Sequence, residues 1–99
     1  MTASLQRLPQ RSTDVLLMDE DTRSTLIEPD AGTTHVLNPP ARAIWELCDG
    51  TTTLDELVGA ICEVFSVPHG QALRDVAAVL GQLEQAGLVT WSTDEQVRT

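Results

Sequence analysis

The period of the apolar residues changes once along the chain, near Asn38. Before it lie three short β-type runs, Asp14 to Met18, Ser24 to Glu28 and Thr33 to Leu37, parted by the polar clusters Asp19-Glu20-Asp21-Thr22 and Pro29-Asp30-Ala31-Gly32. Connections this short join antiparallel neighbours, which predicts a three-stranded meander. The second connection is made to turn: Pro29 fixes φ, Asp30 can bond its own backbone, and Gly32 tolerates positive φ.

After Asn38 the apolar residues recur at helical spacing. Asn38 is a good N-cap, and Pro39 and Pro40 cost nothing in a first turn, so a helix is predicted from about Pro39 to Cys48, with Ala41, Ile44, Trp45 and Cys48 on its buried face. Asp49-Gly50 closes it. Thr53 and Glu56 have the spacing of a capping box for a second helix, whose stripe is Leu54, Leu57, Val58, Ile61, Cys62 and Phe65. Ser66 to Gly70 breaks the pattern, and a third helix is predicted from about Gln71 to Ala86, with Leu73, Val76, Ala77, Leu80 and Leu83 facing the core. Gly87 ends it, and Leu88 to Trp91 reads as a short wing strand. Trp45 reads as core packing, whereas Trp91 suits either packing or a half-exposed contact.

Residues 1–12, polar and Arg-rich with a single Pro9, are expected to form a mobile arm, and residues 92–99 a fraying tail, leaving one domain over 13–91. The fold class is α+β: a three-stranded antiparallel meander packed on a three-helix winged helix-turn-helix.

Composition narrows the chemistry. The 99 residues are 41% hydrophobic and carry 15 acids against 6 bases, a formal charge of -9. Such a surface repels nucleic acid and anionic lipid, so neither is expected as a partner. Every basic residue is Arg, which removes Schiff-base and phosphate-loop lysines. No apolar run approaches a membrane span and the N-terminus lacks the apolar middle of a secretion signal, which places the chain in the cytoplasm. Cys48 and Cys62 have no metal-knuckle or redox spacing and read as buried structural thiols. His35 and His69 have no Ser or Cys nucleophile at a pairing distance in sequence, and Asp19-Glu20-Asp21 lacks the glycine and distal Glu of a calcium loop. No catalytic residue, metal or cofactor is expected, and the chain is not read as an enzyme.

Three helices followed by a wing have the outline of a DNA reader, but the third helix offers only Arg74 against Asp75 and Glu84, too few cations for a duplex. The stretch from Leu37 to Gly50, LNPPARAIWELCDG, then Thr53-Leu54-Asp55-Glu56-Leu57, Asp75-Val76, Leu80, Leu83 and Gly87-Leu88-Val89, resembles the PqqD-like family of peptide chaperones, the precursor peptide recognition elements of ribosomally made, modified peptides. The resemblance spans about Asp14 to Val89. It implies non-catalytic binding of a precursor's leader segment, which adds as an antiparallel strand to strand three and inserts apolar side chains between that strand and helix three. It also implies delivery to a modifying enzyme or leader peptidase, in a pyrroloquinoline quinone, lasso-peptide or other pathway. Carried onto this chain, the edge is Thr33, Thr34, His35, Val36 and Leu37, and the helix flank is Arg74, Ala77, Ala78 and Gly81. The small residues of that flank suit plain helix packing equally well, and both readings stand at this point. The doubled proline departs from the small-residue version of the motif, stiffening entry into helix one while leaving the edge untouched. The alternative function is a winged-helix transcriptional or protein-interaction adaptor.

Overall fold

A computed structural model describes residues 7–21 and 23–93. In chain order the elements are β1 (Arg7–Arg11), β2 (Leu16–Glu20), β3 (Arg23–Glu28), β4 (Thr33–Leu37), α1 (Pro39–Leu47), α2 (Leu54–Phe65), α3 (His69–Gln85) and β5 (Val89–Thr93). The meander forms in the expected order β2-β3-β4, antiparallel throughout, with Leu17, Leu26 and His35 in one cross-strand row. Strand β2 lies two residues later than expected, so Asp19 and Glu20, read as part of the connection, belong to the strand. Period-two alternation gives the sheet two faces. Leu26 and Leu37 are buried beneath the helices, while Leu16, Met18 and Val36 remain exposed on the outer side.

The helix signals act locally. The Asn38 side chain accepts from Ala41 N–H at 2.9 Å, with prolines in the first two positions of α1. The Thr53–Glu56 capping box is made in both directions. Each cap satisfies donors that would otherwise be orphaned, and losing one costs about 1 kcal/mol. Helix α3 begins two residues earlier than the expected Gln71, at His69, with Pro68 in the N-cap position and no side-chain cap. Ile44, Trp45, Leu57, Val58, Ile61, Ala72, Val76, Leu80 and Leu88 join Leu26 in a single core. Each large side chain buried there stabilises the fold by about 1.5–3 kcal/mol.

The amino-terminal segment departs from the expected arm. Arg7–Arg11 is a strand, paired antiparallel with β5 as a two-stranded wing in which Pro9 faces Trp91. Three further bonds hold it: Arg11 N–H to Cys48 O at 2.8 Å, Gly50 N–H to Pro9 O at 3.0 Å and Ser12 N–H to Leu88 O at 2.8 Å. Pro9 is fully buried and lacks a donor, which its position tolerates because its carbonyl does the bonding. The approach explains Gly50: its φ is +82°, and a Cβ there would come within 2.5 Å of the Gln10 side chain. Strand β5 runs to Thr93, so the expected tail starts inside an element. The remainder of the arm and tail, residues 1–6 and 94–99, lies outside the described residues.

Candidate functional site

Strand β4 is the last in its sheet, and its sequence TTHVL carries no carboxylate or guanidinium. The loop before it closes with Gly32, at φ +74°, donating its N–H to Glu28 O at 2.8 Å. Glu28 and Thr33 then face each other as the first pair of the ladder. A four-residue loop closed in this way makes them a hydrogen-bonded pair, and bonded and non-bonded pairs alternate along an antiparallel ladder. Leu26–His35 and Ser24–Leu37 are therefore the further bonded pairs. Thr34 and Val36 turn their N–H and C=O groups toward the open edge.

Beside this edge runs a cleft of about 260 Å³ lined by His35, Val36, Leu37, Asn38, Ala41, Val79, Gln82 and Leu83. Leu37, Ala41 and Leu83 are buried and form an apolar floor. Asn38, the N-cap of α1, carries the chain from β4 into the helix and lines the cleft where it does so. At the turn end, Glu28 Oε2 accepts from Thr33 Oγ1 at 2.6 Å and bonds His35 Nε2 at 2.7 Å. The Thr33 hydroxyl, followed by His35, holds the Glu28 carboxyl below the usual carboxylate range.

The structure brings Thr33 to Leu37 together as the predicted edge, but it changes the helix side. Arg74, Ala77, Ala78 and Gly81 are all exposed, and a Cβ on Gly81 would meet nothing within 4 Å. The wall that faces β4 is instead Val79, Gln82 and Leu83, which the sequence reading missed as groove residues. Ala78, one turn before Gln82, is the nearest member of the predicted set. The cause is a rotated stripe: α3 buries Ala72, Val76, Leu80 and Leu83, whereas Leu73 is 45% exposed. Ala72, absent from the expected stripe, is fully buried, and a small side chain suits close helix packing. Its Ala72-x-x-x-Val76-x-x-x-Leu80 spacing was the available signal.

A larger cleft, about 460 Å³, lies at the other side of the sheet among Gln10 to Thr13, Val15, Leu17, Trp45, Glu46, Cys48 and Asp49. Size favours it, but Arg11 occupies this region structurally, donating through Nη1 to Glu46 O at 2.8 Å and Cys48 O at 3.3 Å at the end of α1. A cation beside the last carbonyls of a helix is favourable. Cys48 is fully buried and burial pushes its thiol up to about 12, an unreactive state, whereas Cys62 is only half-buried, contrary to the expectation for both. Asp19 is engaged by the Ser24 hydroxyl and the Arg42 guanidinium. Trp45 is core, as expected, and Trp91 is half-buried and packed against the core cluster. Among the described residues no helix is long and apolar enough to cross a membrane.

The sequence profile of the family described as coenzyme PQQ synthesis protein D (PqqD) matches residues 15–89. Among solved structures, the chain is similar to TbiB1 in complex with the TbiA(beta) leader peptide, at 28% identity, with 81% of this chain and 93% of that one covered and a TM-score of 0.70. It shares the fold of a lasso peptide synthetase B1 complexed with the leader peptide, at 22% identity over 83% of this chain and 96% of that one, again with a TM-score of 0.70. No curated protein matches it.

Proposed function

The chain belongs to the PqqD family, and from that premise we propose that it binds the leader segment of a ribosomally made precursor peptide as a strand added to β4, and presents it to a modifying enzyme or leader peptidase without chemistry of its own. The observation that carries the reading is the conjunction of an uncharged free edge with an apolar-floored cleft beside it. Main-chain bonds from Thr34 and Val36 give affinity indifferent to sequence, and side chains entering between Leu37 and Leu83 give selectivity. The two structural neighbours, each solved with a leader peptide, support the same use of the fold.

Calorimetric titration with a synthetic leader, taken from the precursor encoded beside the gene, tests it. The expected result is one-to-one binding at micromolar affinity or tighter, by the leader half alone. Binding to duplex DNA only, with a steep salt slope, would sink the reading and favour a winged-helix adaptor.

A further inference from the structure

We propose that Glu28, Thr33 and His35 form a polar subsite at the turn end of the β4 cleft, and that it selects leaders carrying a basic residue two positions after the apolar residue that fills the cleft floor. This rests on the strand-addition reading and names the class of peptide that reading would admit.

The chemistry comes from an acceptor with spare capacity. A carboxylate offers about four lone-pair sites, and Glu28 uses two of them, for Thr33 and His35. Facing an ionised carboxylate, His35 Nε2 is the donor nitrogen, so a neutral ring leaves Nδ1 as an acceptor. The trio then carries one net negative charge. With side chains 32% and 23% exposed, His35 and Glu28 are shielded enough to hold a partner yet open enough to receive one. A guanidinium, with its long stem and several donors, complements such a site better than any neutral side chain.

The spacing comes from the edge. Thr34 and Val36 make the outward main-chain bonds, so the leader residues opposite His35 and Leu37 fall in non-bonded pairs, where side chains approach most closely. Both lie on the cleft side of the sheet, two residues apart. The residue opposite Leu37 meets Ala41 and Leu83 and is apolar. An antiparallel leader passes Leu37 before His35, so its order is apolar, any residue, then Arg or Lys.

The test is selection of a randomised fifteen-residue peptide library by messenger-RNA display against the full-length protein, repeated on Glu28→Gln and Glu28→Lys. The wild type is expected to enrich an apolar-x-basic pattern. Glu28→Gln should keep the apolar preference, lose the basic one, and bind a selected wild-type peptide at least about fivefold more weakly. Glu28→Lys should shift the second position toward Asp or Glu. Enrichment of the apolar position alone, or a Glu28→Gln affinity within twofold of wild type, overturns the subsite while leaving strand addition standing. Failure of the library to yield any binder, together with a silent leader titration, overturns both.

Discussion

Among the described residues the meander has two unpaired edges, β2 and β4, and they are finished differently. On β3, the residues bonding β4 are Ser24, Leu26 and Glu28, so alternation directs Thr25 and Ile27 to β2 and leaves Leu17 and Asp19 with outward main-chain groups on the β2 edge. There Asp19 turns its charge toward the helices, bonded by Ser24 Oγ and held by Arg42 Nη2 at 2.7 Å, while Arg42 also reaches Glu46 at 2.9 Å. An inward-pointing charge with a long side chain strapped across it is a common guard against edge pairing. Strand β4 has no such guard. Strand β4 itself carries no carboxylate or guanidinium, which leaves its outward main-chain groups open to a partner strand.

The largest expected effects come from proline placed at adjacent positions on β4. Val36→Pro removes an outward donor and sets a ring in the path of an incoming strand, so the protein should keep its circular dichroism spectrum and bind leader at least about tenfold more weakly, or 1.4 kcal/mol. His35→Pro removes an inward donor and leaves its partner on β3 unsatisfied, at a cost of about 1–3 kcal/mol. A melting temperature lower by about 4–8 °C per kcal/mol should report it. Two variants that fold and bind like wild type would place any peptide elsewhere.

Uncovering β2 should have a smaller effect. Asp19→Ser combined with Arg42→Ala removes the strap and the inward charge, and should make the protein self-associate in sedimentation velocity at concentrations where wild type does not. Unchanged sedimentation would mean that the β2 edge is closed by something other than Arg42.

These contrasts also mark how far the sequence could be read. The meander, the Asn38 cap and the Thr53–Glu56 box were legible because each is a local signal, set by residues two to four apart. Strand β1 was not: Arg7, Pro9, Gln10 and Arg11 argue against a strand, and its pairing with β5 is fixed by contacts about eighty residues away in sequence. The β4 edge was legible as the end of a meander. Its helical wall was not, because Val76, Leu80 and Leu83 fit a stripe that takes in either Ala72 or Leu73, about 100° apart around the helix, and hydrophobicity favours the leucine. The Glu28–His35 bond was invisible for a related reason: it crosses the ladder diagonally, and only the register brings those two positions together.

Acid should reach the guarded edge only at the low end of the pH range. The Arg42 guanidinium, followed by the Ser24 hydroxyl, holds the Asp19 carboxyl down to about 2. Lowered in the folded state, this group contributes stability that is present above the ordinary carboxylate range near pH 4, and that is lost as pH falls through about 2. Melting temperatures between pH 7 and pH 2 should therefore drop over the last two units, and Asp19→Asn should flatten that part of the curve. An identical slope in the variant would show that the strap contributes nothing to the folded state, as many exposed ion pairs do not.

The smallest effect separates the two edges by charge. If β4 binds through main-chain bonds and apolar insertion, raising salt from about 20 mM to about 150 mM should weaken leader binding by less than about tenfold, because few ion pairs are released. The chain's charge of -9 makes this a demanding expectation, since any basic leader feels a long-range attraction at low salt. A single contact at Glu28 fits within it, and Glu28→Gln should reduce the salt dependence further without abolishing binding. A loss of several orders of magnitude over the same range would mean that the acidic surface as a whole carries recognition, and the distinction between a guarded and an unguarded edge would then explain where a peptide lies but not why it binds.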